Sequence, residues 1–61
     1  MMIVYISVRG ENHEGATPIE SPIKGYQKRH QAVAVCRREH NKSSFGLTDY
    51  TAVWKIEIQN D

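Results

Sequence analysis

Gly10 and Gly15 bracket Glu11-Asn12-His13-Glu14 directly after an apolar run, which is the glycine spacing of a phosphate-cradling loop. Such a loop needs a lysine after its second glycine and a helix beginning there. Here Ala16 takes the lysine's place, Glu11 and Glu14 repel phosphate, and Pro18 obstructs a helix. The segment reads as an acidic turn, and nucleotide hydrolysis is excluded. Cys36 and His40 are four apart, a spacing that on a helix aims both at one metal ion. A tetrahedral site needs two more ligands, and His30 falls on the far side of the helix from Cys36. Cys36 is therefore expected to be a small core residue and His40 a helix-end cation, with no metal and no cofactor. His13 between Glu11 and Glu14 has the groups for acid–base work. A loop on so short a chain supplies neither a water-excluding cleft nor a second positioned group. No catalytic residue is assigned, and the chain is expected not to be an enzyme.

The strongest chemical feature is cationic. Residues 24 to 42 hold Lys24, Lys28, Arg29, Arg37, Arg38 and Lys42 against one acid, Glu39, whereas residues 10 to 23 hold Glu11, Glu14 and Glu20 with no basic residue. On a helix, His30, Arg37 and Arg38 project together and Lys28, Arg29 and Lys42 border them. Such a surface can hold phosphates, acidic protein patches or an anionic small ligand. A net charge of only +1 and scattered aromatics argue against a dedicated nucleic-acid binder.

These groups must be positioned by few elements. Residues 2 to 9 are β-branched and aromatic and read as a strand, with Val4, Ile6 and Val8 on one face and Ile3, Tyr5 and Ser7 on the other. The uniformly apolar set is expected to face the core. Pro18 and Pro22 suit an extended loop or irregular edge strand, and Ile23 to Tyr26 a short second strand interrupted by Gly25. From about Gln27 to Asn41 the pattern turns helical, with Ala32, Val33, Val35 and Cys36 in one arc. The last strand runs from about Tyr50 to Ile58, with Ala52, Trp54, Ile56 and Ile58 on its apolar face. The expected fold is α+β: a small antiparallel sheet of two to three strands with one helix packed on one face, in the order β-β-α-β, as a single domain over residues 1 to 61.

With 61 residues, 39% of them hydrophobic, little apolar surface can be buried. A chain this short and without a disulfide often gains stability by self-association. One helix covers one side of a sheet, so Ile3, Tyr5 and Val53, assigned to the uncovered side, are the expected oligomer interface of a homodimer. No apolar run reaches the roughly 18 residues of a membrane span, and the lone Cys36 suits a reducing compartment, so a cytoplasmic location is expected.

The plan of Ile3 to Val8, an acidic glycine loop, Ile23-Lys24-Gly25-Tyr26, a helix containing Gln31-Ala32-Val33-Ala34 and a final Trp54-Lys55-Ile56-Glu57-Ile58 resembles that of small phage-encoded accessory proteins, among them anti-CRISPR and other anti-defence proteins. The likeness is architectural and carries no motif. It implies a stoichiometric binder that inhibits or modulates a larger host protein without catalysis. Lys28, Arg29, His30, Arg37 and Arg38 are the expected partner contacts, joined by Glu11, Glu14 and Tyr26. Two other functions fit the same surface: an oligomeric sponge for an anionic signalling nucleotide, and a nucleic-acid-binding accessory protein.

Overall fold

The computed structural model describes residues 1–59. Three strands and one helix follow in the order β1 (Met2–Glu11), β2 (Ile19–Tyr26), α1 (Arg29–His40) and β3 (Asp49–Ile58). The sheet is fully antiparallel with strand order β2-β1-β3. The molecule is therefore an α+β fold of two layers, and its backbone measures 42 × 26 × 11 Å. Pro22 is accommodated as anticipated, on an edge strand, opposite Val8 and beside an irregularity in the β1–β2 register. The segment after Gly15 is strand, not helix. Gly15 has φ +74° in a turn closed by the Ala16 N–H donating to the His13 carbonyl at 3.1 Å.

The helix lies on the opposite side of the sheet from the one expected. The register of β1 with β3 runs unbroken from Met2↔Ile58 to Glu11↔Asp49, so alternate residues of β1 share a face. The Ser7 hydroxyl donates to the Ala32 carbonyl at 2.8 Å and Arg9 reaches Glu39, which places Ser7 and Arg9 under α1. Tyr5 and Val53 line a groove beside α1, and Ile3 belongs to the same face by register. These three residues do not lie on the uncovered side. Val4, Ile6 and Val8 do, together with Ala52, Trp54, Ile56 and Ile58, their partners or near neighbours on β3; of these Val8 is nevertheless 0% exposed, and Val4 and Ile6 are half-buried.

The physical reason is the helix's own inner arc. Ala32, Val35, Cys36 and Glu39 are buried, whereas Val33 is only partly so. A helix turning one carboxylate and small side chains inward fits a face that offers Ser7 and Arg9, not one of uninterrupted valine and isoleucine. Ser7 and Ala32 are both 0% exposed, and their small size lets the two layers approach closely. The thiol of Cys36 donates to the Ala52 carbonyl at 3.5 Å, as a small core residue would.

Arg9 joins the layers. Its Nη1 donates to Glu39 Oε1 at 3.0 Å, and its Nη2 to Asp49 Oδ2 at 2.8 Å and to the Ser44 carbonyl at 2.7 Å. The guanidinium lies 5.2 Å from the centre of the Phe45 ring. Glu39 also pairs with Lys42 at 3.0 Å, and the Gly46 N–H donates to Asp49 Oδ2 at 2.7 Å. Lys42 first and Arg9 second hold the Glu39 carboxyl below its ordinary 4.5; the Gly46 N–H first and Arg9 second hold Asp49 below its ordinary 3.8. Both groups bind protons more weakly folded than unfolded. Their stabilisation is complete above the ordinary values and is lost as pH falls through the lower folded ones. The urea midpoint is thus expected to be flat near neutrality and to fall below about pH 4.5. A Glu39→Gln/Asp49→Asn variant should show a lower midpoint at neutral pH and a flatter acid limb. An equally steep limb in that variant would place the acid-sensitive groups elsewhere.

Candidate functional site

Two unlike surfaces result from this arrangement. The first is the outer side of α1. Arg29, His30, Arg37 and Arg38 are exposed on it and Lys28 precedes its first turn. Ala32 to Glu39 is seven residues, nearly two full turns, so Glu39 falls in the buried arc and no acid remains outside. Among the described residues none of Lys28, Arg29, His30, Arg37 or Arg38 has a carboxylate within 4.0 Å. Arg37, Arg38 and His40 occupy the last turn, where cations meet the negative end of the helix. His40 is fixed there by Thr51 Oγ1 at 2.8 Å and by the Phe45 ring at 4.4 Å between centroids. Cys36 and His40 are thus engaged separately.

Open grooves flank the helix. On the β2 side, Tyr26 and Arg38 meet Lys24, Lys42, Glu39, Ile23 and Val35, with the Lys24 ammonium 5.6 Å from the centre of the Tyr26 ring. On the β3 side, Arg29 and Lys55 flank Tyr5, Val33, Cys36 and Val53. Lys42 is already paired with Glu39 at 3.0 Å, so among the described residues the first groove offers Lys24 and Arg38 as unpaired cations beside one aromatic ring. Of the partner residues expected from sequence, Tyr26 and Arg38 are therefore brought together, Arg29 lines the opposite groove, and His30 and Arg37 form the crest between.

Glu11 and Glu14 do not join them. Tyr26 pairs with Tyr5, while Glu11 lies six residues further along β1, about 20 Å away at the rise of a strand. Glu14 belongs to the exposed turn beyond, and Glu11 contacts His13 at 3.5 Å. These acids form a separate, distal end of the molecule.

The second surface is the uncovered sheet face. Met2, Val4, Ile6, Val8 and Gly10 of β1 line up with Ile58, Ile56, Trp54, Ala52 and Tyr50 of β3. Gly10 is required there. A Cβ would sit 2.2 Å from the Tyr50 ring, which crosses over Gly10 so that the Tyr50 hydroxyl donates to Glu20 Oε2 at 2.6 Å. That bond to Glu20, helped by burial, raises the Tyr50 hydroxyl's pKa above 10.0. Trp54 is 36% exposed, Ile56 38%, Met2 41% and Ile58 43%. Sequence periodicity identified this apolar set correctly but assigned it to the helix. The Arg9–Glu39–Asp49 cluster was missed, although one signal was available: Glu39 shares the helical arc of Ala32, Val35 and Cys36.

The fold and its surfaces define a small two-layer α+β domain with one cationic side and one apolar side. No protein family, no curated protein and no solved structure matches this chain. No helix is long and apolar enough to cross a membrane.

Proposed function

We propose that this protein is a non-enzymatic binding module that docks an acidic surface of a larger protein through the crest of α1. In the phage-type reading, that partner is a host defence protein and the module inhibits or modulates it. One observation carries the proposal: His30 and Arg37 form the crest of α1, Arg29 and Arg38 flank it and Lys28 precedes it, none with a carboxylate within 4.0 Å among the described residues, while the helix's only carboxylate is turned inward. An outward glutamate would neutralise such a surface. Its inward placement leaves the field uncompensated, which steers association with acidic partners and weakens with salt.

The double variant Arg37→Glu/Arg38→Glu tests this. With immobilised protein and a bacterial lysate, the wild type is expected to retain a stoichiometric acidic protein. The variant should retain at least tenfold less while its circular dichroism is unchanged. Equal retention by both would remove the helix crest from the mechanism. A second reading rests on the β2-side groove, where Lys24 and Arg38 line the same opening as Tyr26 and would meet a phosphate beside a stacking ring. That reading makes the module a sponge for an anionic nucleotide, and such a ligand would co-purify in place of a protein.

A further inference from the structure

The geometry points to a second copy of this chain as the cover of the uncovered sheet face, giving a two-fold β-sandwich with both helices outside. The need for a cover comes from the size of the core. Among the described residues, only Val8, Ala32, Val35 and Cys36 are buried apolar side chains. Val8 is enclosed on the sheet's other face, whereas Trp54, Ile56, Ile58 and Met2 of that same face stand in water, as Ile19, Ile23 and Leu47 do elsewhere.

Charge selects the second copy as occupant. By register Arg9, Lys24 and Lys55 project on the helix side, and Lys28, Arg29, Arg37, Arg38 and Lys42 belong to the helix layer or its ends. None of the eight lies on the uncovered face. Its one acid, Glu20, is engaged by Tyr50. Two copies meeting here bring no cation into the contact and point their cationic helices apart, whereas contact through the helix sides would oppose cation to cation.

Shape supports the same pairing. The β3 side of the face carries the large side chains Trp54, Ile56 and Ile58, and the β2 side Gly25 and Pro22, with Val4 and Ile6 of β1 leaning toward Gly25. A two-fold axis parallel to the strands lays the β3 side of one copy over the β2 side of the other. Gly25, Ile6 and Trp54 form one cross-strand row, so this rotation brings Trp54 of one copy over Gly25 of the other. Within each chain, Tyr50 already crosses Gly10 in the same manner. The assembly presents two cationic helices on opposite sides, on the order of 30 Å apart for four stacked layers.

Sedimentation equilibrium on the full chain tests the inference. The wild type is expected at twice the 7.0 kDa chain mass. Trp54→Lys and Ile56→Lys should each raise the dissociation constant at least tenfold, while Val53→Lys, on the helix side, and Arg37→Glu leave it within about twofold. Because Arg37→Glu belongs to the partner-binding test, loss of partner binding and loss of the dimer are separable. Should the lysine variants fail to fold, diluting the wild type decides, since Trp54 is the single tryptophan. Its emission should move to longer wavelength as the mass halves. A wild type at 7.0 kDa up to millimolar concentration overturns the inference, as does a dimer that tolerates both lysines or dissociates without moving the Trp54 emission.

Discussion

Arg9→Met is expected to lower the melting temperature more than any other single charge removed from this chain. Arg9 is the one side chain that ties β1 to the helix through Glu39, to β3 through Asp49 and to the intervening loop through the Ser44 carbonyl. Methionine keeps the packing volume but offers no donors. Glu39 then depends on Lys42 alone and Asp49 on the Gly46 N–H alone. Stranding a carboxylate inside a packed layer costs more than the lost pair was worth, because the remaining charge stays desolvated. Lys55→Met is the control. Its contact with Glu57, at 3.7 Å, is exposed on both sides, and such pairs contribute little. Adding Glu39→Gln and Asp49→Asn to Arg9→Met should restore part of the lost stability. A melting temperature for Arg9→Met as close to wild type as that of Lys55→Met would remove Arg9 from its central position.

Ala32→Leu is expected to have the next largest effect. Ala32 is fully enclosed over Ser7, whose hydroxyl bonds to the same residue's carbonyl at 2.8 Å. Three added carbons have no space unless the helix lifts from the sheet. Lifting breaks the Ser7 bond and draws Glu39 from Arg9, so the damage spreads along the helix. Overpacking costs about 1–3 kcal/mol, and a chain of this length holds only some 3–9 kcal/mol in total. The melting temperature should fall by roughly 5–20 °C in differential scanning calorimetry. Ala34→Leu, on the exposed side of the same helix, should change it little. Equal effects at positions 32 and 34 would contradict the packing described.

The contrast between those positions shows what could be read from the residues alone. Alternation in residues 2 to 9 and 50 to 58, and the 100° spacing of Ala32, Val35 and Cys36, suffice to specify three elements and the inner arc of the helix. Pro22 and Gly25 obscured β2, which begins at Ile19, because an edge strand with a register irregularity tolerates both. The facing of the sheet was not legible from hydrophobicity. The rule that the most apolar face meets the helix presumes an apolar helix. Here the inner arc includes Glu39, and a buried carboxylate selects the face that supplies Arg9. Pairing those two residues across thirty positions of sequence requires the tertiary structure. The cationic crest was legible because exposure needs only local periodicity. The separation of Glu11 and Glu14 from Tyr26 was not, because it depends on strand register.

Everything proposed for the apolar side depends on what the Trp54 indole touches. An isotope-filtered nuclear Overhauser experiment on a mixture of labelled and unlabelled chains reads this directly. The expected result is intermolecular cross-peaks from the indole to the Gly25 α-protons and the Ile6 methyls of the other copy, with none to Ala32 or Val35. No intermolecular cross-peak from the indole, or cross-peaks from it to the Ala32 and Val35 methyls in the unfiltered spectrum of the same sample, would contradict the account.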